Sequence, residues 1–394
     1  MKNLLITTTT FPLNEEDAQP GFIYSLAKVL VDDFNVTVLA PRGKSSKEQE
    51  SLGKIDVRRY SYFFSKFETL VYGGGILENL RANHFKYLLI PFLLIAQFIC
   101  VWREVRNKNI DVINAQWIIP QGLIAILVNI FKRKKIKVVV TSHGGDLYGL
   151  QRLNSVKRWI LNKSDAVIVV SSAMKHYCYD VLKIERDKPV YVRSMGVDLI
   201  STFMPTSTVE QREGLIFVGR VAEKKGLSVL IDALAILHTR GFELTLCIVG
   251  EGDDLRNIQH QVEAHKLTKY IRFMGRVKNT EIPIILNKHA VFIMPSVIAS
   301  DGDQEGLGLV AVEAMGCGCT VIATDLETIR DVVKPGITGF LFEAGDSAAL
   351  AKQIKLVYSD IKLRAHYAES SRRFVLDNFD WLKVAGEYSN ILNS

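Results

Sequence analysis

Short, almost purely apolar runs recur along this chain at the spacing of parallel-sheet strands. Leu4 to Thr7, Val36 to Leu39, Val112 to Ala115 and Val138 to Thr141 fall in the first half. Leu215 to Val218, Leu244 to Val249, Ile271 to Met274, Val291 to Met294 and Thr320 to Thr324 fall in the second. Strands that are apolar throughout need cover on both faces, and stretches of helical periodicity such as Phe22 to Leu30, Leu123 to Phe131 and Leu227 to Leu237 lie between them to supply it. At 394 residues the chain exceeds what one core organises, and the alternation restarts after a polar connector. The expectation is an α/β protein of two parallel-sheet domains with a cleft between, the first over 1–197 and the second over 198–376, hinged between about 195 and 212.

Composition narrows the classes. Apolar residues make up 48% of the chain and only 10 prolines occur, which suits a folded, soluble protein. The five cysteines (Cys100, Cys178, Cys247, Cys317, Cys319) lack zinc spacing, and Cys317-x-Cys319 has no second pair to complete a site. They read as reduced thiols in a cytoplasmic protein with no bound metal. The run Met1 to Ile6 is too short for a signal peptide and reads as the first strand.

Charge is uneven. Residues 1–200 carry 28 Lys and Arg against 18 Asp and Glu, and the remainder 21 against 24. A basic first half suggests a phosphate-bearing acceptor or a membrane surface as partner. A pI of about 9.0 alone does not argue for nucleic acid, since no recognition module accompanies it. Gly250-Glu251-Gly252-Asp253-Asp254-Leu255 lacks the third glycine of a dinucleotide fingerprint.

Several stretches of the first half admit two readings. The polar run Arg42 to Lys54 looks like a solvated loop, and Tyr72-Gly73-Gly74-Gly75, before a long helix, is either an entry turn or an acceptor loop. The stretch Tyr87 to Trp102 is the most apolar, and its sixteen residues would span about 24 Å as a helix, short of a hydrocarbon core of about 30 Å. It is either a helix buried against the sheet or one dipping into a membrane face. The cluster Lys132-Arg133-Lys134-Lys135 is likewise a membrane-surface patch or an ordinary helix end.

The densest chemistry lies in Glu305-Gly306-Leu307-Gly308-Leu309-Val310-Ala311-Val312-Glu313-Ala314-Met315-Gly316, two carboxylates eight residues apart around a Gly-x-Gly turn. The stretch reads as a loop and helix between two strands. Gly306 and Gly308 let backbone approach a ligand, and the N–H groups of a helix start suit an anion. Carboxylates accept hydrogen bonds from vicinal hydroxyls, so the pair suits a sugar or ribose; the plainer reading has Glu305 as a cap and Glu313 turned to solvent. Gly219-Arg220 and Lys225-Gly226 form a second loaded site, a guanidinium fork and an ammonium point charge within reach of a diphosphate. Ser142-His143-Gly144-Gly145-Asp146 and the loop Thr8 to Gly21 each follow a strand, at the sheet edge where α/β folds bind ligands.

Together with Met195-Gly196-Val197-Asp198 and Trp381, these motifs resemble family 4 of the glycosyltransferases, of GT-B fold with two Rossmann-like domains, over nearly the whole length. The resemblance implies retaining transfer from a nucleotide sugar without metal or other cofactor. It matches Arg220 and Lys225 to the donor diphosphate, Glu313 to the ribose, and Glu305 with the amides of Gly306 to Leu309 to the donor sugar and phosphate. It matches His143 to the histidine reaching the donor sugar, Gly21 to the phosphate-facing glycine of the first loop, and Arg276-Val277 to the base. Asp146 is either an acceptor ligand or a helix cap. A final helix over about 377–394 is implied to cross back and complete the first domain.

The reading is therefore a hexosyl transfer from a nucleotide-diphosphate sugar, UDP before GDP, to a glycan or polyprenyl/lipid-linked acceptor in surface polysaccharide synthesis at the cytoplasmic membrane face. The alternatives are a GT-B-like sugar-nucleotide epimerase and a non-catalytic nucleotide-sugar-binding subunit.

Overall fold

The computed structural model describes residues 1–13, 21–43, 46–72, 75–132 and 134–394, with nothing stated for the side chains of Leu77 and Glu78. The chain forms two compact units, one of Met1–Val170, Met174–Gly196 and Ala385–Ser394, the other of Ser171–Ala173 and Val197–Val384.

The first unit is built on eight strands, β1 (Lys2–Thr7), β2 (Phe34–Pro41), β3 (Gln49–Leu52), β4 (Ile55–Tyr60), β5 (Val112–Gln116), β6 (Lys137–Ser142), β7 (Ala166–Val169) and β8 (Val190–Val192). Their order is β3-β4-β2-β1-β5-β6-β7-β8, and every pairing is parallel except that of β3 with β4. Leu4 of β1 lies beside Val36 on one side and Val112 on the other, so the order reverses between β1 and β5. Loops leaving those two strands diverge there, the position where open α/β sheets hold ligands. The helix Gly21–Leu30 covers the sheet with Ile23, Leu26, Ala27 and Leu30, the 3.6-residue period expected of it.

Three expectations for this unit change. Gln49–Leu52 is an edge strand antiparallel to β4, so part of the polar run Arg42 to Lys54 is not loop; polar side chains are tolerated there because an edge strand meets water. Gly73 and Gly74 lie outside the described residues, and Gly75 precedes only the seven-residue helix Ile76–Ala82. The stretch Tyr87 to Trp102 falls in a helical run, a 3₁₀ turn His84–Leu89 leading into the helix Ile90–Asn107, which buries only Leu93, Gln97, Val101 and Val105. It is not a core helix, because the opposite face is open.

The second unit has six parallel strands, β9 (Leu215–Val218), β10 (Leu246–Val249), β11 (Ile271–Gly275), β12 (Val291–Met294), β13 (Thr320–Thr324) and β14 (Gly339–Phe342), ordered β11-β10-β9-β12-β13-β14. β9, β10, β12 and β13 are buried along their whole length, which explains why their sequences carry no polar alternation. Helix Leu227–Thr239 packs Leu227, Leu230, Ile231, Leu234 and Leu237 into the same core. The order reverses between β9 and β12.

The last helix, Trp381–Asn393, begins in the second unit and ends in the first, where Tyr388 is fully buried and Lys137 Nζ donates to the Ile391 carbonyl at 2.6 Å. The returning segment is Ala385–Ser394.

Candidate functional site

In the second unit, the two strands flanking the reversal deliver two loops. β9 ends at Val218, and Gly219 and Arg220 lead into a 3₁₀ turn, Glu223–Lys225, closed by Gly226 in the left-handed region at φ +62°. A Cβ on Gly226 would lie 1.9 Å from the Pro295 carbonyl oxygen, so only glycine lets this turn touch the end of β12. From Pro295 the second loop runs to Gly308, also left-handed at φ +86°, which starts the helix Leu309–Gly316.

Three consecutive side chains fasten the first loop to the second. Glu223 accepts from the Ser300 N–H and hydroxyl, both at 2.9 Å. Lys224 Nζ donates to Asp303 at 3.0 Å, and Lys225 Nζ forms an ion pair with Glu305. Burial pushes the Glu305 carboxyl upward, but the Lys225 charge and hydrogen bond, Lys224 and the Gly306 amide outweigh it and hold the group below the ordinary glutamate range. Glu313, on the helix after this loop, has the opposite fate. It is half-buried, its carboxylate accepts no hydrogen bond among the described residues, and desolvation pushes that carboxyl up to about 7.

The structure thus brings Lys225 and Glu305 into contact, with buried Gly306, Leu307 and Gly308 and half-buried Leu309 continuing from Glu305 into the helix start. Arg220 is exposed just past β9, and Arg276 (exposed) and Val277 (half-buried) just past β11, so all occupy the carboxyl-terminal edge of this sheet.

In the first unit, His143 follows β6 and Gly21 opens the helix after the first loop; residues 14–20, including Pro20, lie outside the described residues. The His143 ring packs between Phe22 and Trp117, centroids 5.1 and 5.3 Å away, and its Nε2 is 2.8 Å from Gln116 Oε1. Gln116 Nε2 donates to Asn114 Oδ1, which fixes Oε1 as the acceptor and Nε2 of His143 as the protonated nitrogen. Burial pulls the imidazole down to about 4, with Asp146 opposing, so it is neutral at pH 7. Asp146 accepts from Ser142 Oγ at 2.8 Å, the His143 N–H at 3.1 Å and the Ile118 N–H at 2.8 Å. Its carboxylate therefore braces the His143 loop against the loop after β5.

The chain matches the family model Glycosyltransferase Family 4 over residues 22–200 and the model Glycosyl transferases group 1 over residues 203–374. It belongs to glycosyltransferase family 4. Among similar proteins is the N-acetyl-alpha-D-glucosaminyl L-malate synthase of Bacillus anthracis, 25% identical over 333 residues that span 82% of this chain and 84% of that one. The phosphatidyl-myo-inositol mannosyltransferase of Mycobacterium leprae is 35% identical over 182 residues, 45% of each chain. The solved structure of Anabaena HepE with UDP and glucose superposes with a TM-score of 0.73 at 19% identity, covering all of both chains, which shows that the fold is GT-B.

Several residues that shape this glycosyltransferase are not evident in its sequence. Glu223, Lys224, Ser300 and Asp303 read as solvated loop residues, and only the pairing of the two loops gives them work. Lys157 is fully buried and donates to the carbonyls of Leu147 and Gly149, a second brace behind the His143 loop. A lone lysine at the start of a helix offers no signal of that.

Proposed function

We propose that this glycosyltransferase moves a hexosyl group, with retention and without a metal ion, from a nucleotide-diphosphate sugar, uridine in preference to guanosine, to a glycan or lipid-linked acceptor of surface polysaccharide synthesis at the cytoplasmic membrane face. The observation that carries the reading is the contact of Lys225 with Glu305 at the start of the Gly306–Leu309 turn. A cation, a carboxylate and a helix N-terminus within one turn suit a sugar phosphate, the cation and amides at the phosphate and the carboxylate at hydroxyls. HepE, of the same fold, binds UDP, and the mannosyltransferase relative is named for a lipid acceptor; both support the donor and acceptor classes.

In the proposed step the bond from the anomeric carbon to the β-phosphate oxygen breaks. The acceptor oxygen bonds to that carbon on the same face, and the acceptor proton passes to the departing phosphate. Arg220 and Lys225 stabilise charge on the diphosphate as it leaves. Glu313 receives the ribose hydroxyls, Arg276 and Val277 the base, and Gly21 the phosphates. His143, neutral, hydrogen-bonds the transferred sugar, and Asp146 holds its loop, with an acceptor contact as its second assignment.

A thermal-shift screen against UDP- and GDP-sugars tests the donor, since a bound donor raises the melting temperature. NMR of the product reports the anomeric configuration. No shift with any nucleotide sugar, or an inverted product, would overturn the reading.

A further inference from the structure

The helix Ile90–Asn107, with the turn His84–Leu89 before it, leaves most of its apolar surface uncovered. Only 17% of its apolar stretch is buried. Leu93, Gln97, Val101 and Val105 form the inward stripe, packed on helix Leu123–Phe131 and on β2 and β4. The opposite stripe should be polar in a helix facing water. It is instead Leu88, Phe92, Ile95 and Ile99, exposed by 70, 47, 59 and 42%.

The surface continues beyond the helix. Phe63 stacks edge-on against Phe92 at 4.8 Å, and its neighbours Phe64 and Phe67 are 74 and 55% exposed. At the other end Phe98 meets Phe131, itself 66% exposed. Apolar faces of this extent on soluble proteins mark an interaction site.

Charge identifies the occupant. Exposed cations ring the patch: Lys66 within the aromatic turn, Arg103 and Arg106 where the apolar stripe ends, and Lys134 and Lys135 after Phe131. The described acids of the helical and aromatic segments are engaged inward, Glu68 accepting from the Tyr62 N–H at 2.7 Å and Glu104 pairing with Lys108 at 3.1 Å. An apolar centre with cations around it complements the acyl chains and anionic headgroups of a bilayer.

We propose that this face seats the protein on an anionic lipid membrane, with the helix lying in the interface. The 24-residue run His84–Asn107 is long enough to cross a bilayer, yet its inward stripe is held by the rest of its own unit, so it lies along the surface. The inference goes beyond the donor chemistry and stands without it.

The test is sedimentation of the full chain with sucrose-loaded vesicles of phosphatidylcholine alone or with one-third phosphatidylglycerol. The wild type should pellet with the anionic vesicles, at least about tenfold more than with the neutral ones, and release in high salt. Leu88→Ser/Ile95→Ser/Ile99→Ser should lower binding to the anionic vesicles by at least about tenfold. Arg103→Gln/Arg106→Gln/Lys134→Gln/Lys135→Gln should abolish the preference for phosphatidylglycerol. Far-UV circular dichroism and urea midpoints report whether the variants remain folded. The wild-type vesicle measurement needs no variant. Wild-type protein left in the supernatant with both vesicles would overturn the proposal. So would a wild-type dimer that the apolar variant converts to monomer, since a second copy would then cover the face.

Discussion

The Lys225 ammonium and the Glu305 carboxylate, 80 residues apart in the chain, are ion-paired with side chains only 18 and 14% exposed. Each neutralises the other, so neither charge is stranded in a poorly hydrated site. In the proposed reaction a donor diphosphate competes with Glu305 for Lys225 and releases the carboxylate toward the sugar hydroxyls. The pairing also joins the β9 loop to the β12 loop, so Lys225 has a structural role beside its chemical one.

Lys225→Ala should therefore do two separable things. Turnover should fall about 10²- to 10³-fold, the usual effect of removing one group that stabilises developing charge. Stability should fall by about 1–3 kcal/mol because Glu305 is left without its partner. Lys225→Ala/Glu305→Gln should restore much of the urea midpoint while turnover stays low. A double variant as unstable as the single one would mean that the stranded carboxylate is not the cause.

Glu313 predicts a pH dependence. Its carboxyl is pushed up to about 7 in the folded protein from an ordinary 4.5, so between these values the unfolded chain loses a proton that the native state keeps. The contribution of Glu313 to stability without ligand should fall as pH rises from about 5 to 7, by about 1–3 kcal/mol. Glu313→Gln should flatten that slope in urea titrations at pH 5 and 7. Ribose hydroxyls donating to the carboxylate favour its ionised form, so UDP affinity should rise over the same interval in the wild type more than in the variant, as read by calorimetry.

The strands of both sheets and the Gly-rich loops are legible in the sequence because burial on two faces leaves a mark, Val-, Ile- and Leu-rich runs ended by glycine or polar residues. Gln49–Leu52 leaves none, since an edge strand with exposed side chains resembles a loop. The open face of Ile90–Asn107 is illegible for another reason: hydropathy records that Phe92 and Ile95 avoid water but not whether protein or lipid covers them. Residue types suggest Lys225 and Glu305 as separate contacts to one ligand. That they touch each other depends on the crossing of two loops, and no local pattern carries it. The same holds for Gln116 and His143, which meet only because β5 and β6 are neighbours.

His143 makes an opposite prediction to Glu313. Burial holds its imidazole at about 4, below the ordinary 6.5, so as pH falls through this interval the unfolded chain gains a proton that the native state refuses. The contribution of His143 to stability should drop as pH falls from 6.5 to 4, by about 1–3 kcal/mol, against the opposite trend from Glu313. His143→Gln should remove that loss, which urea melts at pH 7 and 5 would reveal. The ring C–H signal of His143 should show no titration near pH 6.5 in NMR spectra. A midpoint there would contradict the desolvation argued for the ring.

Gly226 and Gly336 separate backbone strain from crowding. Both are left-handed, at φ +62° and +76°, so alanine at either is strained by about 1 kcal/mol. Nothing lies within 4 Å of a Cβ built on Gly336, whereas the same atom on Gly226 falls 1.9 Å from the Pro295 carbonyl oxygen. Gly336→Ala should cost about 1 kcal/mol and leave turnover unchanged. Gly226→Ala must push the β9 turn off the end of β12, at a cost of about 3 kcal/mol or more. Because Lys225 precedes that glycine, turnover should fall at least about tenfold even at temperatures where the variant is fully folded. Equal unfolding free energies for the two variants would show that the contact with Pro295 does not hold the loop, and the geometry argued for Lys225 would lose its support.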